Sequence, residues 1–244
     1  MFDIVIPVGP NDESFVITVI NCCQKNVKGY RNIYLVSSNP ELTVESCTTI
    51  DEKIYPFSMN DISNRHGKNE RNGWYLQQLL KLYAGLTIPG ILDTYLVVDA
   101  DTCFLKPTEF VKDDISLFNT GVEYHLPYFE HMSRFHPSLF KTHTRSGISH
   151  HMVFKTDYIN ELFLLVEKYH NGKLFWQVFL ETVDLKNVTG SGASEYEIYF
   201  TFMLQHHADK MLIRPLTLID CSTFSEKQPD TTDYICVHYY NRLN

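Results

Sequence analysis

The stretch "TYLVVDADTCFLKP", residues 94–107, places two aspartates directly after a run of apolar side chains. The apolar run predicts a buried strand over residues 91–99, and Asp99 and Asp101 come at its carboxyl end. Two carboxylates brought close together are costly unless a cation or a proton lies between them. Ligands of open α/β sheets bind outside the carboxyl ends of the strands, so the pair predicts a site for a hard cation, Mn²⁺ or Mg²⁺.

A β-α-β pattern opens the chain. Residues 2–8, "FDIVIPV", form a short apolar run that ends at a Gly-Pro turn, and residues 32–38, "NIYLVSS", form a second run. Between them, apolar residues recur at helical spacing over 11–26, which predicts a helix. Strands that alternate with helices favour a mostly parallel sheet. We therefore expect an α/β fold with a mixed, mostly parallel open sheet flanked by helices.

The later segments continue this alternation. Residues 53–57 predict a short third strand, and the polar residues 58–73, rich in Asn and Gly, predict a loop. Further helices are expected at 74–86, 127–135, 157–170, 174–183 and 195–207, and further strands at 150–155, 211–219 and 234–240. No long linker divides the chain, so a single domain over 1–244 is expected.

Composition narrows the classes of function. The 244 residues carry a formal net charge of −8, which disfavours a nucleic-acid partner because such partners need a basic face. No apolar run reaches the roughly 18–20 residues of a membrane helix, and the N-terminus lacks the basic region of a signal peptide. We therefore expect a cytoplasmic protein with no integral membrane segment. The six cysteines show no CxxC spacing and are expected to be reduced core thiols.

The aspartate pair is also consistent with two different roles. An aspartate at the end of a strand often forms the following turn, which is a purely structural role. A strand that ends in hhhDxDT, with h an apolar residue, also resembles the start of haloacid-dehalogenase-type phosphatases, which use one aspartate as nucleophile and the other as acid and base. Those phosphatases carry the motif near the start of the fold. Here almost 100 residues precede it, and no late acidic pair on an apolar strand completes such a site.

Six segments resemble GT-A type nucleotide-sugar glycosyltransferases, and they come in the same order along the chain. They look most similar to a family of polysaccharide-biosynthesis transferases with a DxDT core and an SEYE helix start. The segments are "DIVIPVGPND", "WYLQQLLKLYA", "YLVVDADTCFLKP", "SGISHHMVFK", "SEYEIYF" and "VHYYNR". The resemblance implies one GT-A (Rossmann-like) domain, with residues 1–101 as the nucleotide-binding half and 102–244 as the acceptor-side half.

The resemblance also implies a reaction. A sugar would move from a nucleotide-diphosphate-sugar, a UDP-sugar by default, to a hydroxyl of a glycan or polysaccharide. Inversion of the anomeric centre is favoured. A protein that binds the nucleotide-sugar without turnover is the remaining alternative.

The metal and catalytic roles follow from the resemblance residue by residue. Asp101 would ligate Mn²⁺ directly, and Asp99 would contact the metal through water or hold the donor ribose. His238, in "VHYYNR", matches a C-terminal histidine that supplies a metal ligand in many such enzymes, and imidazole suits Mn²⁺ better than Mg²⁺. Glu195, which opens "SEYE", would be the general base, with Glu197 as the alternate. A glutamate in this place is also favoured by the helix dipole alone.

The remaining expectations concern the donor. Nucleotide contacts are expected at the ends of the first two strands, from Pro7, Val8, Gly9 and Ser37. Candidates for contact with the diphosphate or with the aspartate pair are basic, since guanidinium and ammonium groups bind phosphate and carboxylate oxygens: Lys81, Arg65, Lys68 and Arg71. Side chains alternate across a strand, so only one of His150 and His151 is expected to face the donor sugar, and we assign His151.

Overall fold

The structure, a computed structural model, describes residues 1–238. Its strands and helices alternate along the chain, as the sequence predicts. The strands are β1 (Phe2–Val8), β2 (Val27–Lys28), β3 (Tyr30–Ser37), β4 (Cys47–Asp51), β5 (Thr94–Val98), β6 (Thr102–Phe104), β7 (Thr108–Glu109), β8 (Val111–Lys112), β9 (Ile115–Phe118), β10 (His151–Lys155), β11 (Met211–Ile213), β12 (Leu218–Asp220) and β13 (Tyr234–Cys236). The helices are α1 (Val16–Asn26), α2 (Met59–His66), α3 (Asn72–Thr87), α4 (Leu126–Phe135), α5 (Thr156–Tyr169), α6 (Phe175–Thr182) and α7 (Glu195–His206).

A five-stranded sheet forms the centre of the fold, in the order β10-β5-β1-β3-β4. β1 pairs in parallel with both β3 and β5, and β3 pairs in parallel with β4. Only the edge strand β10 runs antiparallel, against β5. The prediction of an α/β fold with a mixed, mostly parallel sheet flanked by helices is therefore confirmed. Such a sheet is compatible with a Rossmann-like fold.

Two apolar layers cover the sheet because alternate residues of each strand face opposite sides. Val5 and Val97 belong to the larger cluster, which includes side chains of α3, α5, α6 and α7. Ile4 and Leu96 belong to the second cluster, which includes side chains of α1. Packing on both faces holds β1 and β5 side by side, so the residues that follow these strands emerge at one edge of the sheet.

A small sheet in the order β12-β13-β6 continues from the aspartate pair. β6 begins at Thr102, and the backbone of Asp101 accepts a hydrogen bond from the Val237 amide, N···O 2.9 Å. Cys22 of α1 and Cys103 of β6 form a disulfide, with their Cα atoms 5.5 Å apart. The prediction that all cysteines are reduced is wrong for these two, because the fold brings together two thiols that are far apart in sequence.

Three local predictions need correction. The third strand lies at Cys47–Asp51 instead of 53–57, and residues Glu52–Ile54 form a turn of 3-10 helix. The expected loop 58–73 contains α2, because Ser58 and Asp61 form a reciprocal capping box that starts a helix even in a polar segment. The expected strand 211–219 is divided into β11 and β12, since Pro215 between them cannot donate a ladder hydrogen bond.

The last predicted strand, 234–240, lies only partly within the described residues. β13 covers Tyr234–Cys236, and residues 239–240 of the prediction, with the end of the "VHYYNR" segment, lie outside the described residues. Within residues 1–238, no helix has the length and apolar character needed to cross a membrane.

Candidate functional site

A cleft of about 760 Å³ opens at the carboxyl edge of the parallel sheet. Pro7, Val8 and Gly9, at the end of β1, line it, as the sequence predicts for a ligand site. Asp99 and Asp101 line it from the loop that follows β5. The aspartate pair therefore lies where open α/β sheets bind their ligands, and the volume suits a ligand of nucleotide size.

The cleft is acidic. The acidic side chains among its lining residues are Asp12, Glu52, Glu70, Asp99, Asp101 and Glu123. Within the described part of the chain, Arg71 is the only Arg or Lys that lines it, and its guanidinium carbon lies 5.5 Å from the Trp74 ring centroid. An anionic ligand would be repelled here unless a cation bound with it. The charge of the cleft thus favours a cation, alone or together with an anion.

Asp99 is held by three groups of the protein. Lys81 Nζ lies 2.5 Å from Oδ1, and the Tyr196 hydroxyl donates to the same oxygen at 2.7 Å. His150 Nδ1 lies 3.4 Å from Oδ2. Burial works against ionisation of Asp99, but Lys81 and His150 outweigh it and hold its pKa well below the usual range. Asp99 is therefore a fixed carboxylate, with both of its oxygens in contact with protein groups.

Lys81 lies behind the cleft floor instead of in the cleft. It is 2% exposed and lies between Asp99 and Glu195, with Nζ 2.6 Å from Glu195 Oε1. Burial opposes the charge of Lys81, but the two carboxylates overcome it and raise the lysine pKa. Of the two roles predicted for Lys81, the structure shows contact with the aspartate pair, and Lys81 does not line the cleft where a diphosphate would bind. It acts on the site through Asp99.

Glu195 is part of the same buried group. It is 3% exposed, and its backbone amide donates to Gln78 Oε1 at 3.0 Å. A general base must come within hydrogen-bond reach of the acceptor hydroxyl, and Glu195 does not line the cleft. As positioned, it would have to leave Lys81 to act as the predicted base.

The alternate base, Glu197, is also engaged. Its carboxylate accepts from Lys141 Nζ at 2.8 Å, Ser146 Oγ at 2.9 Å and the Gly147 amide at 2.7 Å. These contacts tie α7 to the loop before β10. The first turn of α7 therefore has an organising role, and its start is set by Ser194, whose side chain accepts from the Glu197 amide.

Asp101 and His238, the two side chains expected to ligate the metal, are in direct contact. His238 Nδ1 lies 3.1 Å from Asp101 Oδ2, and His238 Nε2 lies 3.4 Å from Asp220 Oδ1. Burial alone would lower the His238 pKa, but Asp101 raises it above its ordinary value. Asp101 Oδ1 is buried and has no hydrogen-bond partner within residues 1–238. An orphaned carboxylate oxygen beside an imidazole fits a divalent cation well.

His151 and Ser37 do not line the cleft, contrary to prediction. His151 is 2% exposed and packs on the α1 side of the sheet, against the rings of Phe104 and Tyr234. Burial, with help from nearby cations, lowers the His151 pKa to about 3. Ser37 is fully buried, and its hydroxyl accepts from the Asn39 amide.

The sequence neighbours of Ser37 and His151 face the cleft instead. His150 and Ser38 line the cleft. His150 has a left-handed φ of 59°, which turns it away from the strand alternation that begins at His151. Alternation limited the histidine to His150 or His151, but the backbone turn that decides between them has no clear signal in the sequence.

Two of the predicted loop cations lie elsewhere. Arg65 donates to the Glu181 backbone carbonyl at 3.0 Å, beside a separate shallow groove, and Lys68 is exposed and does not line the cleft. Tyr196, which contacts Asp99, was not predicted. An aromatic residue inside an apolar helix looks like core in sequence, so nothing in the pattern distinguished it.

The chain matches a family of unknown function, DUF6492, over residues 11–214. It belongs to this family. The matched region contains the aspartate pair, Lys81 and Glu195, whereas β1 and His238 lie outside it. No curated protein matches the chain. The family description names no activity, so a function has to be argued from the cleft.

Proposed function

We propose that the protein is a metal-dependent glycosyltransferase that moves a sugar from a nucleotide-diphosphate-sugar to a glycan hydroxyl. The observation that carries the proposal is the acidic floor of the cleft, with Asp99 and Asp101 at the carboxyl end of β5. The size of the cleft, the orphaned Asp101 Oδ1 and the motif resemblance support it. The donor is a UDP-sugar by default, and the metal is Mn²⁺ or Mg²⁺.

The residues have distinct roles in this proposal. Asp101 and His238 hold the metal, which when bound neutralises the leaving diphosphate. Lys81 and Tyr196 fix the orientation of Asp99, and Asp99 holds the metal through water or the donor ribose. Pro7–Gly9 line the cleft, and their backbone would pack against the nucleotide. Arg71 is placed to contact the phosphates from the cleft wall.

The stereochemical outcome is a separate question. Inversion was predicted from Glu195, which is buried against Lys81. We keep inversion as a proposal that requires Glu195 to release Lys81 or another cleft acid to act as base. NMR of the anomeric configuration of the product decides it, and a retained configuration excludes the inverting mechanism.

The cellular location also stays a proposal. The disulfide between Cys22 and Cys103 is a feature that persists mainly in oxidising compartments. A cytoplasmic location therefore requires that this bond survive or form against a reducing environment.

Thermal unfolding tests donor binding directly. The protein is heated with Mn²⁺ and a panel of UDP-, GDP- and dTDP-sugars, with and without EDTA. A ligand at about 100 times its dissociation constant adds about 2.7 kcal/mol of stability. For a chain of this length, that corresponds to a rise in melting temperature of roughly 5–11 °C. We expect such a rise with one nucleotide and only when the metal is present.

A matched pair of variants locates the effect. Asp101→Asn removes one carboxylate charge at the carboxyl end of β5, and we expect it to abolish the metal-dependent shift. Asp93→Asn makes the same change just before the other end of β5, at an exposed side chain, and should leave the shift intact. If no nucleotide gives a metal-dependent shift, the transferase proposal fails. Phosphate release from phosphomonoesters would then favour the phosphatase, and binding without turnover would favour a binding protein.

A further inference from the structure

Three side chains with different donor atoms meet beside the cleft. A ring nitrogen of His150, a carboxylate oxygen of Asp220 and the sulfur of Cys236 all lie within 4.8 Å of one another. Donors around one tetrahedral ion, with bonds of about 2.0–2.3 Å, lie about 3.3–3.8 Å apart. A small inward shift of these side chains would therefore let all three bind one cation.

Rigid elements set this arrangement. Asp220 and Cys236 are the last residues of β12 and β13 and are register partners in that parallel pair. Partners in a sheet project to the same face, so the carboxylate and the thiol point the same way. His150 is fixed by its left-handed backbone and by its carbonyl, which accepts the Asp99 amide at 2.9 Å. The cluster thus depends on sheet register and a constrained turn.

The donor set differs in kind from the aspartate pair. Carboxylate and water oxygens suit Mn²⁺ and Mg²⁺, whereas a thiolate with an imidazole selects Zn²⁺ and ions of similar softness. A further imidazole is close, because the ring centroids of His150 and His238 are 4.8 Å apart and His238 Nε2 lies 3.4 Å from Asp220 Oδ1. A set of two nitrogens, one sulfur and one oxygen gives four ligands, the usual number for zinc.

We infer that His150, Asp220 and Cys236 form a binding site for a zinc-like transition metal, with His238 placed to supply a fourth ligand. The inference does not depend on the glycosyltransferase proposal, since none of the three residues is assigned to the hard cation or the nucleotide there. If both ions bind, they lie side by side, with His238 between the two sets of ligands.

Cobalt tests the site because Co²⁺ takes zinc positions and reports its ligands in the absorption spectrum. We would titrate the full-length protein, first treated with EDTA, with Co²⁺. We expect one strongly bound ion per chain and a near-ultraviolet band from thiolate-to-cobalt charge transfer. Zn²⁺ added afterwards should remove the band. If excess Co²⁺ gives no such band, the inference is wrong.

Variants assign the band to particular residues. Cys236→Ser should remove it, whereas Cys23→Ser, at another fully buried thiol, should keep it. Asp220→Asn should weaken Co²⁺ binding at least tenfold, and because its side chain is 55% exposed, a folding failure is not expected. A band that survives in Cys236→Ser, or unchanged affinity in Asp220→Asn, contradicts the site.

The same variants separate this inference from the glycosyltransferase proposal. Asp101→Asn should keep the thiolate band and lose the shift caused by Mn²⁺ with nucleotide. Asp220→Asn should weaken Co²⁺ binding and keep the shift caused by Mn²⁺ with nucleotide. A missing band together with an intact nucleotide shift would therefore overturn the zinc-like site alone.

Discussion

Within the described residues, replacing Lys81 by methionine removes the cation that lies between the buried carboxylate of Glu195 and the partly buried carboxylate of Asp99. Lys81 Nζ lies 2.5 Å from Asp99 and 2.6 Å from Glu195, and Lys81 and Glu195 are 2–3% exposed. Methionine fills most of the volume of the lysine stem, so the change isolates the charge from the packing. Two facing carboxylates without a cation must either repel each other or take up a proton.

The size of the effect follows from that geometry. Breaking a buried ion pair by removing one partner costs about 3–5 kcal/mol, because it leaves an uncompensated charge. We therefore expect Lys81→Met to lower the melting temperature by roughly 6–20 °C. Glu195→Gln keeps an oxygen that can accept from Lys81 and should cost only about 1–2 kcal/mol. The double variant should cost less than the sum of the two by about 1 kcal/mol or more, since a single carboxylate then remains unpaired.

Denaturant unfolding, followed by tryptophan fluorescence, measures these differences. The matched control is Lys173→Met, which breaks a 2.6 Å ion pair with Glu181 whose partners are each 43% exposed. Exposed pairs contribute about 0.2–1 kcal/mol, so the control should change little. If Lys81→Met costs no more than Lys173→Met, or if the two changes at Lys81 and Glu195 are additive, the buried group is not coupled as described.

Three further predictions concern other parts of the fold. Burial lowers the pKa of His131 to about 3, against an ordinary value of 6.5. As the pH falls below about 6.5, the unfolded chain takes up a proton on His131 while the folded protein keeps the ring neutral, so the folded state loses stability. Between pH 7 and pH 5 the wild type should lose about 2 kcal/mol more than His131→Gln, and equal losses would contradict this assignment. Reduction of the disulfide, which links residues 81 apart in sequence, should lower the unfolding free energy by about 2–4 kcal/mol; an unchanged denaturation midpoint with reductant would show that the bond contributes nothing. In Gly147→Ala the new Cβ would lie 2.4 Å from Phe200 Cβ, so a loss of about 1–3 kcal/mol is expected in the same assay. Gly73→Ala, where nothing lies within 4 Å, serves as the control and should not destabilise.

Periodicity predicted most of the fold because its central elements are strongly apolar on defined faces. The strands at residues 2–8 and 94–98 and the helix at 72–87 match their patterns closely. The misses have local causes. α2 was missed because its start depends on one capping box instead of an apolar face. β4 is intermediate in burial and carries little of the apolar signal by which strands are recognised.

The candidate site was predictable only in part. Asp99, Asp101 and the end of β1 were found because a strand end has a fixed direction in a parallel sheet. Contact of Lys81 with the aspartate pair was among the predictions, but its pairing with Glu195 could not be read from the sequence, since that pairing depends on how α3 and α7 pack. The disulfide could not be predicted either, because the positions of the cysteines in the sequence do not show which two lie close together in the fold.

The first turn of α7 gives the site an order of assembly. Three consecutive residues of this turn contact three distant segments: Glu195 contacts Lys81, 114 positions away, Tyr196 contacts Asp99, 97 away, and Glu197 contacts Gly147, 50 away. Each contact closes a long loop, and long loops are slow to close because their closure costs entropy before any contact is gained. We therefore expect Asp99 to acquire its orientation late in folding, when one helix end docks and fixes all three segments together.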